Sequence, residues 1–138
     1  GSPMQVYREP ASPFVADFVG RINVVAATAE AGGCVRVGPT SFACPHDLPA
    51  GRAVKIYLRP EDILARPIAP GDANVFSATI DKVEFLGSYC LVRVASPALG
   101  EQRLTVYLSL NFLAEHALEV GGTLPLRLMP DRMRLFDA

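Results

Sequence analysis

Ala53-Val-Lys-Ile-Tyr-Leu-Arg-Pro-Glu-Asp62 is the stretch on which the fold turns. From Ala53 to Leu58 the apolar Val54, Ile56 and Leu58 alternate with Lys55 and Tyr57, the period of a strand with one buried face. Arg59-Pro-Glu-Asp62 ends the run, because Pro60 has no N–H to give to a ladder. Outward from this segment the same period recurs. Strands are expected at Ile22–Thr28, Cys34–Val37 and Ser41–Cys44 on one side. On the other they are expected at Asn74–Phe85, Tyr89–Ala95, Gln102–Leu108, Thr123–Leu128 and Arg132–Phe136. Glycine and proline turns punctuate them at spacings of roughly eight to twelve residues, the rhythm of an all-β barrel or sandwich. Leu110–Leu118 reads equally as strand or helical turn, and Ile63–Gly71, with Pro67 and Pro70, reads as a connector. No long amphipathic helix competes, so the expected fold class is all-β.

A chain of 138 residues makes one domain or two very small ones. Thirteen basic and fourteen acidic side chains leave a net charge of −1, and half the residues are apolar. That balance argues against a disordered chain and against a dedicated nucleic-acid or membrane-surface binder, which would carry a basic excess. Cys34, Cys44 and Cys90 are odd in number and widely spaced, which suits a reducing compartment better than a disulfide framework. No apolar run has the length of a membrane span, and no signal peptide is recognisable.

Residues 1–4 (Gly-Ser-Pro-Met) have the look of a cloning scar, and 5–21 of a linker and short helix. Ser12 suits an N-cap, Pro13 the first helical position and Gly20 the stop. Phe14, Val15, Phe18 and Val19 then share one face, which must dock on something, either this chain's own barrel or a preceding domain. Residues 22–138 form the folded remainder, with a seam expected near 63–73. Tyr57-Leu-Arg-Pro-Glu-Asp62 is echoed by Arg127-Leu-Met-Pro-Asp-Arg132. Two related small barrels packed together would explain the echo, and so would chance likeness between two β-rich segments.

Candidate chemistry is sparse. Gly33-Cys-Val-Arg-Val-Gly-Pro-Thr40 has the glycines and threonine of a phosphate loop, but Pro39 stands where the lysine must be and no helix follows. It reads as a hairpin, and the chain has no expected catalytic or cofactor-binding residues. Cys44-Pro-His46, beside Asp47, falls short of a zinc site, because Cys34, Cys90 and His116 do not complete a ligand spacing. A Cys44–His46 thiol pair is likewise better explained as a turn. Base stacking on a basic groove is disfavoured because Phe14, Phe18, Phe76, Phe85 and Phe112 sit at core-like positions and the arginines are scattered. Gly87-Ser88 and Ser41 could donate to an oxyanion, but no constellation stands out. Arg59-Pro60-Glu61 is the sharpest internal feature, either a self-paired turn or the point where one barrel meets another surface.

Taken in order, several motifs resemble the C-terminal TOBE (transport-associated OB) regulatory domain of ABC importer ATP-binding subunits. Tyr7-Arg-Glu-Pro-Ala-Ser-Pro-Phe-Val-Ala-Asp-Phe-Val-Gly20 with Asn23 is similar to the connector and helix. Tyr57-Leu-Arg-Pro-Glu-Asp-Ile63 resembles the central turn, and Phe85-Leu-Gly87 with Tyr89 the opening of a second barrel. Leu118-Glu-Val-Gly-Gly-Thr through Leu126-Arg-Leu-Met-Pro-Asp-Arg-Met-Arg-Leu-Phe-Asp137 resembles the closing strands.

The resemblance implies OB-like (MOP-like) small barrels in tandem after one short N-terminal helix. It also implies a regulatory and dimerisation role without catalysis. Interface candidates carried over are Arg59, Pro60, Glu61, Phe85, Gly87, Tyr89 and Phe136, with Phe14, Val15, Phe18 and Val19 for helix docking. ATP and magnesium would belong to an upstream ATPase domain. The implied partners are that domain and a second subunit in a homodimer, with a permease reached indirectly at the cytoplasmic membrane, and with neither nucleic acid nor membrane insertion. Asn23 and Glu84-Phe-Leu-Gly-Ser-Tyr89 look most like importers of 2-aminoethylphosphonate, iron(III) or polyamines. A stand-alone small-molecule or oxyanion sensor is the alternative, and an OB-type single-strand binder the second.

Overall fold

In the computed structural model, which describes residues 22–138, the alternating segments become ten strands in two antiparallel five-stranded sheets. The helix expected before Gly20, with Phe14, Val15, Phe18 and Val19, lies outside the described residues, as do residues 1–21 generally.

The strands are β1 (Asn23–Glu30), β2 (Cys34–Val37), β3 (Thr40–Ala43), β4 (Ala53–Leu58), β5 (Ile63–Leu64), β6 (Val75–Phe85), β7 (Tyr89–Ala95), β8 (Arg103–Ser109), β9 (Thr123–Leu128) and β10 (Arg134–Asp137). One short helix, α1 (Leu110–Glu115), settles the ambiguous segment. Ser109 caps it by accepting from the Phe112 N–H at 3.0 Å, and Phe112 and Leu113 turn inward. The Gly33–Thr40 stretch is β2 with its tight turn at Gly38-Pro39 into β3, a hairpin as read from Pro39.

One sheet runs β10-β4-β1-β2-β3 and the other β5-β9-β6-β7-β8. The orders correspond strand for strand, β1 to β6 through β4 to β9, with one exchange. After β4 the chain turns at Pro60–Asp62 and lays β5 on β9. After β9 it turns at Pro130–Arg132 and lays β10 on β4. The registers agree: Leu64 faces Arg127 as Arg134 faces Tyr57. The echo between the two proline turns is therefore structural, and each half completes the other's sheet. One detail departs from expectation. Ile63–Leu64 is a strand, not the start of a connector, because an edge strand of two residues leaves little alternation to read.

The inward faces meet in one apolar core that includes Phe42, Ile56, Leu58, Ile80, Leu104, Leu126 and Leu135, all buried. Two asparagine amides stitch the sheets. Asn23, at the start of β1, donates from Nδ2 to the Thr105 carbonyl at 2.9 Å and accepts the Thr105 N–H at 2.8 Å, on the edge strand β8. Asn74, just before β6, does the same to Ala43 on edge strand β3, at 2.9 and 2.8 Å, and also donates to the Leu128 carbonyl at 3.0 Å. Each amide imitates a ladder pair on a strand that would otherwise end its sheet. The hairpin turns also touch. A Cβ on Gly38 would lie 2.8 Å from the Gly100 amide nitrogen, so the β2–β3 turn reaches the β7–β8 turn only as glycine.

Candidate functional site

The residues singled out from the sequence fall at three places. Arg59, Pro60 and Glu61 form the exchange turn between β4 and β5. Pro60 is buried, Arg59 half-buried and Glu61 exposed, and the turn packs against β8. Beside it Asp62 faces Arg132 of the other exchange turn at 3.8 Å. Burial pushes the Asp62 carboxyl above its usual range, with Arg132 pulling the other way.

Phe136 lies on β10, its ring 4.3 Å from that of Tyr57 on the outer face of the first sheet, where half-exposed Val24 adjoins Tyr57 across β1 and β4. Phe85 and Gly87 are at the tip of the β6–β7 hairpin, and Tyr89 follows. Phe85 is 65% exposed although it points to the core side of the sheet, where its neighbour Cys90 is fully buried. Gly87 has φ of 86°, which lets the chain reverse between Leu86 and Tyr89. Tyr89 stacks on Tyr107 at 4.7 Å across β7 and β8. The structure brings Phe85, Gly87 and Tyr89 together. It keeps them apart in the topology from Phe136, which belongs to the other sheet.

No catalytic arrangement appears at Cys44-Pro-His46. Burial, with a smaller contribution from Cys34, pushes the Cys44 thiol up to about 12, and its Sγ lies 3.8 Å from the Met133 carbonyl. His46 is committed at both nitrogens: Nδ1 accepts the Leu48 N–H at 2.9 Å, which leaves Nε2–H to donate to the Cys34 carbonyl at 2.8 Å. A protonated thiol and a backbone-bound imidazole make a structural turn. Among the described residues no group of three or more His, Cys, Asp or Glu could hold a metal ion.

The sequence reading singled out Asn23 without its role as an amide clip, and it passed over Asn74 and Gln102, whose amide pairs with both the N–H and the C=O of Ala26 at 2.8 and 2.9 Å. A groove lined by Ala65, Arg66, Phe112, His116, Leu118 and Leu124 runs between α1 and β9. There Arg66 covers the Phe112 ring at 4.7 Å and pairs with Glu115 at 3.1 Å.

The TOBE domain family matches residues 56–136. The chain is 35% identical over 147 residues to the Fe(3+) ions import ATP-binding protein FbpC 2 of Rhizobium meliloti, covering 99% of this chain and 37% of that protein. It is 30% identical over 136 residues to the sulfate/thiosulfate import ATP-binding protein CysA 2 of Chromobacterium violaceum, again 99% and 37%. The sn-glycerol-3-phosphate import ATP-binding protein UgpC of Chromohalobacter salexigens is 34% identical over 140 residues, 100% and 36%. The chain thus spans little more than a third of the length of these relatives. Among solved structures, the cytoplasmic molybdate-binding protein ModG superposes with a TM-score of 0.67 at 18% identity. The match covers 84% of this chain and 96% of that one, and the likeness is one of fold.

Proposed function

The chain belongs to the TOBE domain family, and from that membership we propose that it is the C-terminal regulatory domain of the ATP-binding subunit of an ABC importer. The observation that carries this reading is a match along essentially the whole chain to three importer ATP-binding proteins, with over half of each relative left outside it. In this reading the two sheets are two small OB-like barrels that share their last strands. The hydrolytic residues, ATP and magnesium belong to the rest of the subunit. The domain sits on the cytoplasmic side of the membrane beside the permease; no helix among the described residues is long and apolar enough to cross a membrane.

Its role is to hold two ATP-binding subunits together as a homodimer while their nucleotide sites open and close. The exposed Phe85 and Leu86 at the hairpin tip, and the Tyr57–Phe136 pair, supply apolar contact of the kind a protein interface uses. Sedimentation velocity on the 138-residue chain at tens of micromolar tests the dimerisation role, which a strictly monomeric boundary would remove. The three relatives carry iron, sulfate and glycerol phosphate in their names, so the transported solute is not inherited from them.

A second reading, a small-molecule or oxyanion sensor, draws on the fold shared with a molybdate-binding protein. A thermal-shift panel of phosphonates, sulfate, molybdate, iron chelates and polyamines separates it from the first. Stabilisation by one class supports a sensor, and none removes it.

A further inference from the structure

The outer face of the first sheet changes character along its strands. At the end where β1 begins, Val24, Tyr57 and Arg134 face one another across β1, β4 and β10, and Ala26, Lys55 and Phe136 form the next row. Val24 is 47% exposed, and the Tyr57 and Phe136 rings meet at 4.3 Å, so an apolar strip crosses three strands. Towards the other end the face is polar, with Glu30 holding both Arg36 and Ser41 at 2.7 Å. Apolar side chains scattered singly over a surface are ordinary, whereas a contiguous strip marks a face that something covers.

The chain itself supplies an occupant of the right size. Residues 1–21 lie outside the described structure, which begins at Ile22, one position before β1. Their sequence gathers Phe14, Val15, Phe18 and Val19 on one face of the helix expected over residues 13–19. A helix of that length is about 10 Å long, and β1, β4 and β10 together span about 10 Å at ordinary strand spacing. Residues 20–22 reach at most about 10 Å, enough to turn back over Val24, and Gly20 permits the reversal. The charges agree as well. Lys55 and Arg134 stand in the two rows of the strip, and Asp17, three residues after Phe14, flanks the apolar face of the segment.

We propose that the strip of Val24, Tyr57 and Phe136 is the seat of this chain's own residues 13–19, held in the same copy. Phe14 and Phe18 cover Val24 and Tyr57, with Asp17 towards Lys55 and Arg134. Seated in this way, the segment sets the direction from which the chain before residue 13 meets the barrel. The inference rests on no part of the importer reading. It narrows one point of it, because the Tyr57–Phe136 pair then has its partner in the same chain and the Phe85–Leu86 tip is left to a second subunit.

The test is NMR on the isotope-labelled 138-residue chain. The expected result is a set of NOEs from the Phe14 and Phe18 rings to the Val24 methyls and the Tyr57 ring, unchanged by roughly tenfold dilution. The Phe14→Ser/Phe18→Ser variant is expected to shift the Val24, Tyr57 and Phe136 resonances while those of β7 and β8 stay in place. Its Tm should fall by about 5 °C, because the strip loses its apolar cover. Absence of these NOEs in the wild-type chain overturns the proposal. So does their appearance at the groove of Phe112 and Leu118, or at the Phe85–Leu86 tip, in place of Val24 and Tyr57. Their loss on dilution overturns it too, since a second copy would then fill the seat. A variant with Tyr57 unshifted and Tm unchanged does the same.

Discussion

Asn23 and Asn74 occupy matching positions at the start of β1 and β6, and each closes both amide atoms onto one backbone residue of the opposite half, Thr105 and Ala43. Neither contact is part of a ladder, yet each covers the edge of a sheet. Together they cover one edge of each sheet and tie the start of each half to the outermost strand of the other.

Replacing either side chain leaves an N–H and a C=O without their partner on a protected strand. Asn23→Ala is expected to cost about 2 kcal/mol. Asn74→Ala should cost at least as much, since its amide also serves Leu128. Urea titration checks this: the midpoint falls while the slope stays constant. A pair of midpoints equal to wild type would show that water replaces the clips without loss.

Gly38 and Gly32 both have positive φ, 54° and 82°, but only Gly38 has a backbone neighbour in the way of a Cβ. Gly32→Ala is therefore expected to cost about 1 kcal/mol, the conformational part alone. Gly38→Ala must also push the β7–β8 turn away and should cost about 3 kcal/mol. Equal losses in a denaturation experiment would mean that the turn contact gives way freely.

Ala117 follows α1 with φ of 51°, a conformation that alanine tolerates poorly and glycine adopts freely. Ala117→Gly is expected to stabilise by about 0.5 kcal/mol, the relief exceeding the entropy that glycine adds to the unfolded chain. The readout is a small rise in Tm.

Asp62 and Glu30 give pH dependences of opposite sign. Burial raises the Asp62 carboxyl, so its ionisation opposes folding. Stability falls as pH climbs from the unfolded carboxylate value through the raised folded one. Glu30 accepts from the Ser41 hydroxyl and from Arg36, both at 2.7 Å, which lowers its value. Its contribution is present above the unfolded value and is lost as pH falls through the lowered one. Urea midpoints measured from strongly acidic pH, below the ordinary carboxylate values, up to neutral should show the fall with rising pH removed in Asp62→Asn and the loss at the acid end removed in Glu30→Gln.

The thiols should separate by reactivity. Cys44 and Cys90 are buried with raised values, whereas Cys34 is half-buried. Iodoacetamide under native conditions is expected to label Cys34 first, with mass spectrometry locating the adduct. Early labelling of Cys44 would show that the β3–β4 loop opens readily.

Much of this architecture was legible from alternation. Val54, Ile56 and Leu58 announced their strand, and Pro39 in place of lysine removed the phosphate loop. The β-bulge between Ile80 and Lys82 also left a trace. Phe76, Ala78 and Ile80 point inward at intervals of two, then Val83 follows at three, so Asp81-Lys82 interrupts the period. What alternation cannot show is which strand lies beside which. β5 is too short to carry a period, and pairing between segments distant in sequence is fixed by the closed core. The amide clips were illegible for a related reason, since an asparagine near a strand start looks like any turn residue until its distant partner is known.

The exchange of β5 and β10 bears on how the chain acquires its structure. On a ribosome, β1 to β4 emerge first but cannot complete their sheet until β10 arrives, after every strand of the other sheet. The halves should therefore not fold as successive units. A single late, cooperative step is expected, slowed by the long loop between β4 and β10 that must close. Removing β10 would then unfold the first half as well as shorten the last.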